Sequence, residues 1–279
     1  LIKKAVYGAV AGIVLASWLG NYSYREYYSL PNLVFLRHYI ETETIPAVAF
    51  DLYYVVDKDD DRTPLSVTVA ELPELRFDPP YVHQQLSRQT IYVLRGYYNE
   101  GAMADREAME PLRLRTVDVH YSNGEQKTED IGEIVVKRSA WPLAASTDAS
   151  RQSPVTMLSA GGSSDNGGFG SVRADRPVRL EGVSSAWLES LGDSLEYELT
   201  PNPALGDSAN LESGQSARLD YRFKLDDEER INAYELRLRM NFVEPNGEQS
   251  DYVVFARADP HPTEAEMRTF VRAERGRKE

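Results

Sequence analysis

Apolar and polar residues alternate with a period of two along much of the chain, and that period predicts strands. Val48, Phe50, Leu52, Tyr54 and Val56 alternate with Ala49, Asp51, Tyr53 and Val55; Leu65, Val67 and Val69 alternate with Ser66 and Thr68. The polar stretch 57–64 separates the two runs, which read as a hairpin with an acidic tip. Residues 91–94 form another apolar run. Leu112 and Leu114 fall on even positions but Val117, Val119 and Tyr121 on odd ones, so a bulge is expected near Arg115 and Thr116. Asn123-Gly124 is a two-residue turn signal before a strand at 131–136. Short helices are expected at 78–89, opening on Pro79, and at 104–110.

The second half repeats the theme. Strands are expected at 178–180, 195–199 and 252–255, with a short helix at 185–191 stopped by Gly192. The two clearest strands place Ala217, Leu219, Tyr221, Phe223 and Leu225 on one face, then Tyr234, Leu236, Leu238, Met240 and Phe242. Their closeness in sequence predicts a direct hairpin, with Tyr221 beside Leu236 and Leu219 beside Leu238. That register also sets Arg222 against Glu235 and Asp220 against Arg237 on a wet face. Glu244-Pro245-Asn246-Gly247 is a turn. Thr263 and Glu266 fit a capping box for a C-terminal helix, striped by Met267, Phe270 and Val271 and ended by Gly276. Residues 51–57 faintly echo 220–226, each followed by acids and an arginine, as a duplicated sandwich would be.

The N-terminus departs from this pattern. Lys3 and Lys4 precede an uncharged run at 5–20, and Trp18, Tyr22, Tyr24, Tyr27 and Tyr28 lie at or past its end. Lysine snorkelling and interfacial aromatics offset a run that is short for a bilayer. The expectation is an uncleaved signal anchor with its N-terminus cytoplasmic and the bulk extracytoplasmic. A cleaved signal peptide has a similar pattern, but the best site, with Leu15 and Ser17 at −3 and −1, fails at Leu15. A buried core helix is the bland alternative. Gly8, Gly12, Ala16 and Gly20 form one small-residue stripe, which suits association of membrane helices and is also common in signal-like sequence. Leu1 reads as a fragment end or as a leucine-type start codon, the latter pointing to a bacterial frame.

Residues 139–172 are rich in Ser, Gly and Ala and are expected to be a linker or mobile loop. The organisation that follows is a signal anchor and aromatic interface segment at 1–28, a first β-domain at 29–138, the linker, a second β-domain at 173–260, and a C-terminal helix and tail at 261–279. The expected fold is mainly β: a transmembrane helix, two antiparallel β-sandwich-like domains and a short C-terminal helix. At the level of fold class it resembles a tethered pair of immunoglobulin-like sandwiches, an analogy that carries no function.

Composition narrows the chemistry. The 279 residues carry a formal charge of −13, which argues against nucleic acid. There is no cysteine, so disulfides, thiolate metal sites and cysteine nucleophiles are excluded. Asp57, Asp59 and Asp61 have the spacing of a calcium loop, but Arg62 and Thr68 stand where an EF-hand needs glycine and glutamate. A looser Ca2+ site or a solvated tip remains, and no other cofactor is expected. His38, His83, His120 and His261 are far apart, and His120 is expected on a wet face. The glycine-rich stretch lacks a phosphate-loop ending, and no serine nucleophile motif occurs. Trp141 and Trp187 offer sugar-stacking faces or ordinary packing. Arg218, Arg222, Lys224, Arg237 and Arg239 form a locally basic wet face suited to an anionic partner, or a face of cross-strand ion pairs.

The functional expectation is a non-catalytic, membrane-anchored interaction module in the cell envelope, held by residues 5–20 and bound to a protein partner, such as the accessory subunit of a complex. The alternative is a binding module for envelope carbohydrate or anionic polymer. An extracytoplasmic hydrolase ranks behind both.

Overall fold

The computed structural model describes residues 2–46, 48–102, 105, 107–141, 153–201 and 209–277. The protein is mainly β. Helix α1 (Ile2–Tyr27) leads into β1 (Val34–Phe35), β2 (His38–Glu43), β3 (Ala49–Asp57), β4 (Pro64–Thr68), β5 (Leu75–Phe77), β6 (Tyr81–Gln85), β7 (Gln89–Tyr98), β8 (Met109–Tyr121) and β9 (Gln126–Arg138). The second half holds β10 (Val155–Ser163), β11 (Gly167–Ala174), β12 (Val178–Ser184), helix α2 (Leu188–Leu191), β13 (Leu195–Thr200), β14 (Asn210–Leu211), β15 (Ser216–Phe223), β16 (Ala233–Val243) and β17 (Gln249–Ala258), then helix α3 (Glu264–Gly276).

One long sheet runs through both halves in the order β14-β12-β16-β2-β9-β8-β4, with β17 also paired to β16. Its centre is parallel: β16 pairs with β2 from Ala233↔His38, and β2 with β9 from His38↔Gly132. Two smaller sheets pack on its opposite faces. The order β1-β3-β7-β5, with β6 beside β7, covers the face that carries Ile40, Ile134 and Val136. The order β10-β11-β15-β13 covers the face that carries Tyr234, Leu236 and Leu238, with Tyr39 and Val135 packed at its margin. Successive strand residues point to opposite faces, so Tyr39 and Ile40 serve different cores.

β3 explains why the first small sheet is covered twice. Phe50, Leu52, Tyr54 and Val56 face the long sheet, whereas Tyr53 and Val55 face a third core with Ile91, Val93, Met267 and Val271. A near-continuous apolar strand is the signature of burial on both faces, and α3 supplies the second cover. Gly96 on β7 permits this packing: a Cβ there would lie 2.8 Å from Phe50 Cζ and 2.9 Å from Phe77 Cε1. α3 begins as its sequence requires, with Thr263 and Glu266 exchanging capping hydrogen bonds.

Several expectations change. The strands containing Leu219 and Leu236 do not pair. β15 lies between β11 and β13, while β16 lies in the long sheet, and the acidic segment between them crosses from one sheet to the other. Their apolar faces still meet, as facing layers of one core. The expected pairing of β3 with β4 fails in the same way: β3 pairs β7, and β4 pairs β8. The period-two pattern records which face is dry and is blind to whether the neighbour lies beside or opposite.

The helix expected at 78–89 is instead β6 and its turn into β7; Pro79 and Pro80 precede a strand. Of the helix expected at 104–110, Glu110 and Met109 belong to β8, while 104 and 106 lie outside the described residues. The linker expected at 139–172 contains the hairpin β10–β11, whose strands pair from Val155↔Ala174 to Ser163↔Gly167; residues 142–152 lie outside the described set. Small residues there favour close strand packing: a Cβ on Gly170 would lie 2.5 Å from Val254 Cγ2. The bulge near Arg115 is present, as a register shift between Leu114 and Thr116.

The run at 5–20 is helical but belongs to a longer helix that continues through Asn21, Ser23, Arg25 and Glu26. Among the described residues no helix is long and apolar enough to cross a membrane.

Candidate functional site

The five basic residues expected on one face are divided between two sheets, each with its own carboxylate. Arg218 donates two hydrogen bonds to Asp220, both 2.7 Å, and lies 3.9 Å from the Phe169 ring centre. Arg222 pairs with Asp165 and Lys224 with Glu196. In the long sheet, Arg237 is 5 % exposed, 3.3 Å from Glu43 and stacked on Phe255. Arg239 lies 3.6 Å from Asp251. This is the ion-pair alternative, not a bare cationic face.

Trp187 is 5 % exposed and meets Tyr39 edge-on at 5.3 Å, so it offers no stacking platform. Trp141 is half-buried. The three aspartates with calcium-loop spacing diverge. Asp57 accepts from the Leu30 amide at 2.8 Å and from Gln89 Nε2 at 2.7 Å, Asp59 pairs with Arg25, and Asp61 uses its backbone carbonyl to accept from Ser122. Burial raises the Asp57 carboxyl above its ordinary range. No group of three or more histidine or acidic side chains placed for a metal occurs among the described residues. Gly8, Gly12, Ala16 and Gly20 lie on α1, and at Gly12 and Gly20 a Cβ would meet nothing within 4 Å.

A constellation not expected from sequence lies at the junction of the two halves. Asp51, 2 % exposed in the middle of β3, accepts from Arg95 at 2.9 and 3.0 Å and from Arg257 of β17 at 2.7 Å. Arg257 also donates to the Tyr53 hydroxyl at 2.8 Å, and that hydroxyl donates to Asp259 at 2.8 Å. Burial opposes charge on Asp51, but the two guanidinium groups hold its carboxyl below the ordinary value. Burial raises Tyr53 well above the usual phenol range. Glu235, opposite Arg257 in the ladder, is pushed up by burial to about 7.

Histidines join the same region from two sides. His38 is buried, its Nδ1 donating to the Ile131 carbonyl at 2.8 Å and its Nε2 accepting from the Tyr53 amide at 2.7 Å. Burial lowers its pKa to about 4, so the ring is neutral and structural. His83 and His261 bring their ring centres to 4.5 Å, and His83 Nε2 donates to the Pro260 carbonyl at 2.9 Å. These groups fasten β3, β7, β9, β17 and the strap before α3. The charged members pair with one another, and among the described residues no serine or lysine nucleophile converges on them. One signal was available in the sequence: a single acid, Asp51, inside an otherwise apolar run must have a cationic partner.

Two surfaces stand open instead. The side chains of Ile13 and Trp18 on α1 are 70 % and 75 % exposed, and Val14, Leu15 and Leu19 are exposed with them. β10 is an edge strand that no described strand covers. From Thr156 to Ser163 it is exposed, it contains no charge and no proline, and it presents Met157 and Leu158. The opposite edge, β13, carries Glu196 and Glu198. Charges and prolines are the usual protection of a sheet edge, and β10 has neither.

No protein-family model matches the chain, and no curated protein matches it.

Proposed function

We propose that the protein is a membrane-anchored, extracytoplasmic interaction module of the cell envelope, non-catalytic, built as two β-sandwich-like halves on a shared sheet. The observation that carries this reading is α1. Val10, Ile13, Val14, Leu15, Trp18 and Leu19 are all exposed, and the folded body leaves them uncovered. So broad an apolar surface on one helix calls for a protein core or a bilayer around it. The run at 5–20 is about 24 Å long at 1.5 Å per residue, against a hydrocarbon core of about 30 Å. Lys3, Lys4 and the tyrosines extend it into the interfaces, and the paired lysines keep the N-terminus cytoplasmic.

β10 supports a protein partner. An exposed, uncharged edge strand binds an extended segment by adding a strand, through main-chain hydrogen bonds. Tethering raises effective concentration, so a modest edge contact suffices. The carbohydrate alternative loses its main support with the burial of Trp187, and the polymer alternative loses its support with the pairing of the basic residues.

The test uses the absence of cysteine. A full chain carrying Leu158→Cys, expressed in its membrane, should cross-link to a discrete envelope protein, and a chain carrying Glu198→Cys, exposed on β13 at the opposite edge of that small sheet, should not. Protease added to spheroplasts should digest the body. Full protection, or equal labelling from both cysteines, would sink the proposal.

A further inference from the structure

The root of α1 is gripped by arginines. Arg88 Nη1 lies 3.4 Å from the Tyr24 carbonyl and 3.2 Å from that of Arg25, and its guanidinium sits 5.6 Å from the Tyr24 ring centre. Arg275 of α3 donates to the carbonyls of Glu26 and Ser29. Arg272 lies 5.8 Å from the Tyr28 ring centre. The last carbonyls of a helix lack intrahelical donors and attract cations, so these contacts fix α3 against the base of α1.

α3 also sorts its charges by side. Glu264 accepts from the Ser87 amide and hydroxyl at 2.6 and 2.7 Å, Glu266 accepts from the Thr263 amide at 2.6 Å, and Glu274 is buried beside Arg277. Met267 and Val271 face the core. The outward residues within the helix are Ala265, Arg268, Thr269, Arg272, Ala273 and Gly276. Every charge among them is positive, on a chain whose formal charge is −13. Arg268 and Arg88 line, with Tyr24, Tyr28 and the Ser87-bound Glu264, a recess of about 200 Å³.

Depth identifies the occupant. Tyr24 lies four residues beyond Gly20, about 6 Å along the helix axis. Each headgroup layer is about 5–8 Å thick. With the run at 5–20 in the bilayer, the arginines beside Tyr24 sit at the level of the lipid phosphates. We propose that the outer face of α3, with Arg88, is a contact surface for the phosphates of anionic lipid headgroups, holding the body down on the membrane at the root of α1. The inference rests on the anchorage proposed above and adds a second, charge-dependent contact to it. An acidic protein surface would have no reason to match this depth, and the tyrosines beside the arginines are the residues that favour the interface.

The test again exploits the lack of cysteine. The full chain with Thr269→Cys, an exposed position between Arg268 and Arg272, is labelled with a fluorophore and reconstituted into two kinds of vesicle. One is phosphatidylcholine alone; the other contains phosphatidylglycerol as well. Both carry a headgroup-quenching lipid. Quenching should be severalfold stronger in the anionic vesicles and should fall in high salt. Each arginine near an anionic surface contributes about 1 kcal/mol, or about 5-fold in the docked ratio. R268Q/R272Q should therefore abolish the difference while still inserting into both vesicles.

Equal quenching in the two vesicles, or quenching indifferent to R268Q/R272Q, overturns the headgroup contact and leaves the anchor standing. Failure to insert into either vesicle overturns both. Protection of the label by soluble poly(glycerol phosphate) without vesicles, with no difference between the vesicles, reassigns the face to a polymer and also overturns the proposal.

Discussion

β3 and β15 carry similar sequence and occupy different physical worlds. Each places an aspartate, Asp51 or Asp220, among aromatic and aliphatic residues, and each leads through an acidic segment into a strand of the long sheet. Both connections cross from a small sheet to the facing one, so the faint internal echo has a structural counterpart. The surroundings differ. β3 is buried on both faces, by the long sheet and by α3, whereas β15 turns Ser216, Arg218 and Arg222 to solvent. Asp51 is therefore sealed and needs two arginines. Asp220 is half-exposed and shares one arginine on its own strand. The same residue type is structural in one strand and nearly decorative in the other, because burial sets the value of an ion pair.

The largest effect should come from Asp51. D51A removes the buried carboxylate that Arg95 and Arg257 share; Arg257 keeps Asp259 and both guanidinium groups are partly solvated, so the loss should be about 2–3 kcal/mol, below that of a fully buried pair. Urea unfolding of the chain should show a loss of that order. A loss below about 1 kcal/mol would mean that the two strands differ less than their burial implies.

The second effect depends on pH. Glu235 has a folded pKa of about 7 against an ordinary 4.5, so the folded state binds its proton more tightly than the unfolded chain. Its contribution is fully present below about 4.5 and is lost as pH rises through 7, by up to about 3 kcal/mol. E235Q should flatten that decline. His38 acts in the opposite sense over nearly the same range. Its pKa falls from 6.5 to about 4 on folding, so stability is lost as pH drops from 6.5 toward 4. Between 4.5 and 6.5 the two slopes oppose and largely cancel, so a thermal-unfolding series should be nearly flat there, whereas E235Q should gain stability as pH rises to 6.5; identical profiles would remove Glu235 from the junction's electrostatics.

Smaller still is the contrast at the second face of each strand. V55A, facing α3, should cost about 2 kcal/mol, in line with loss of buried aliphatic volume. R222A, on the wet face of β15, should change stability by less than about 0.5 kcal/mol, as exposed pairs do. D220A belongs with R222A. If V55A proved as mild as R222A, α3 would not be a true second cover for β3.

Much of this architecture is legible along the chain. The alternation of β15 and β16, the turn at Asn123-Gly124, the bulge near Arg115 and the capping box at Thr263 are local, and each is set by backbone preference or by one dry face. The expected binding residues fared differently. Arg218 and Arg237 share a period in sequence, yet one lies on the outer face of a small sheet and the other is buried in the long sheet. The glycine-rich stretch read as a linker because its residues bury little apolar area by themselves; paired with β15 they form a hairpin, where small size lets Val254 approach Gly170.

By itself the sequence determined which strand faces avoid water, where α3 and the turn at Asn123-Gly124 begin, and which chemistries the chain lacks. These follow from side-chain type and from periods of two and 3.6, which act over a few residues. Only the tertiary structure decided which strands are neighbours and which are opposite, that Asp51 meets Arg257 across 206 positions of chain, and that α3 turns its arginines outward at the foot of α1. Those outcomes depend on how whole sheets stack. A strand buries its apolar face equally well against either neighbour, so the local pattern leaves the choice open.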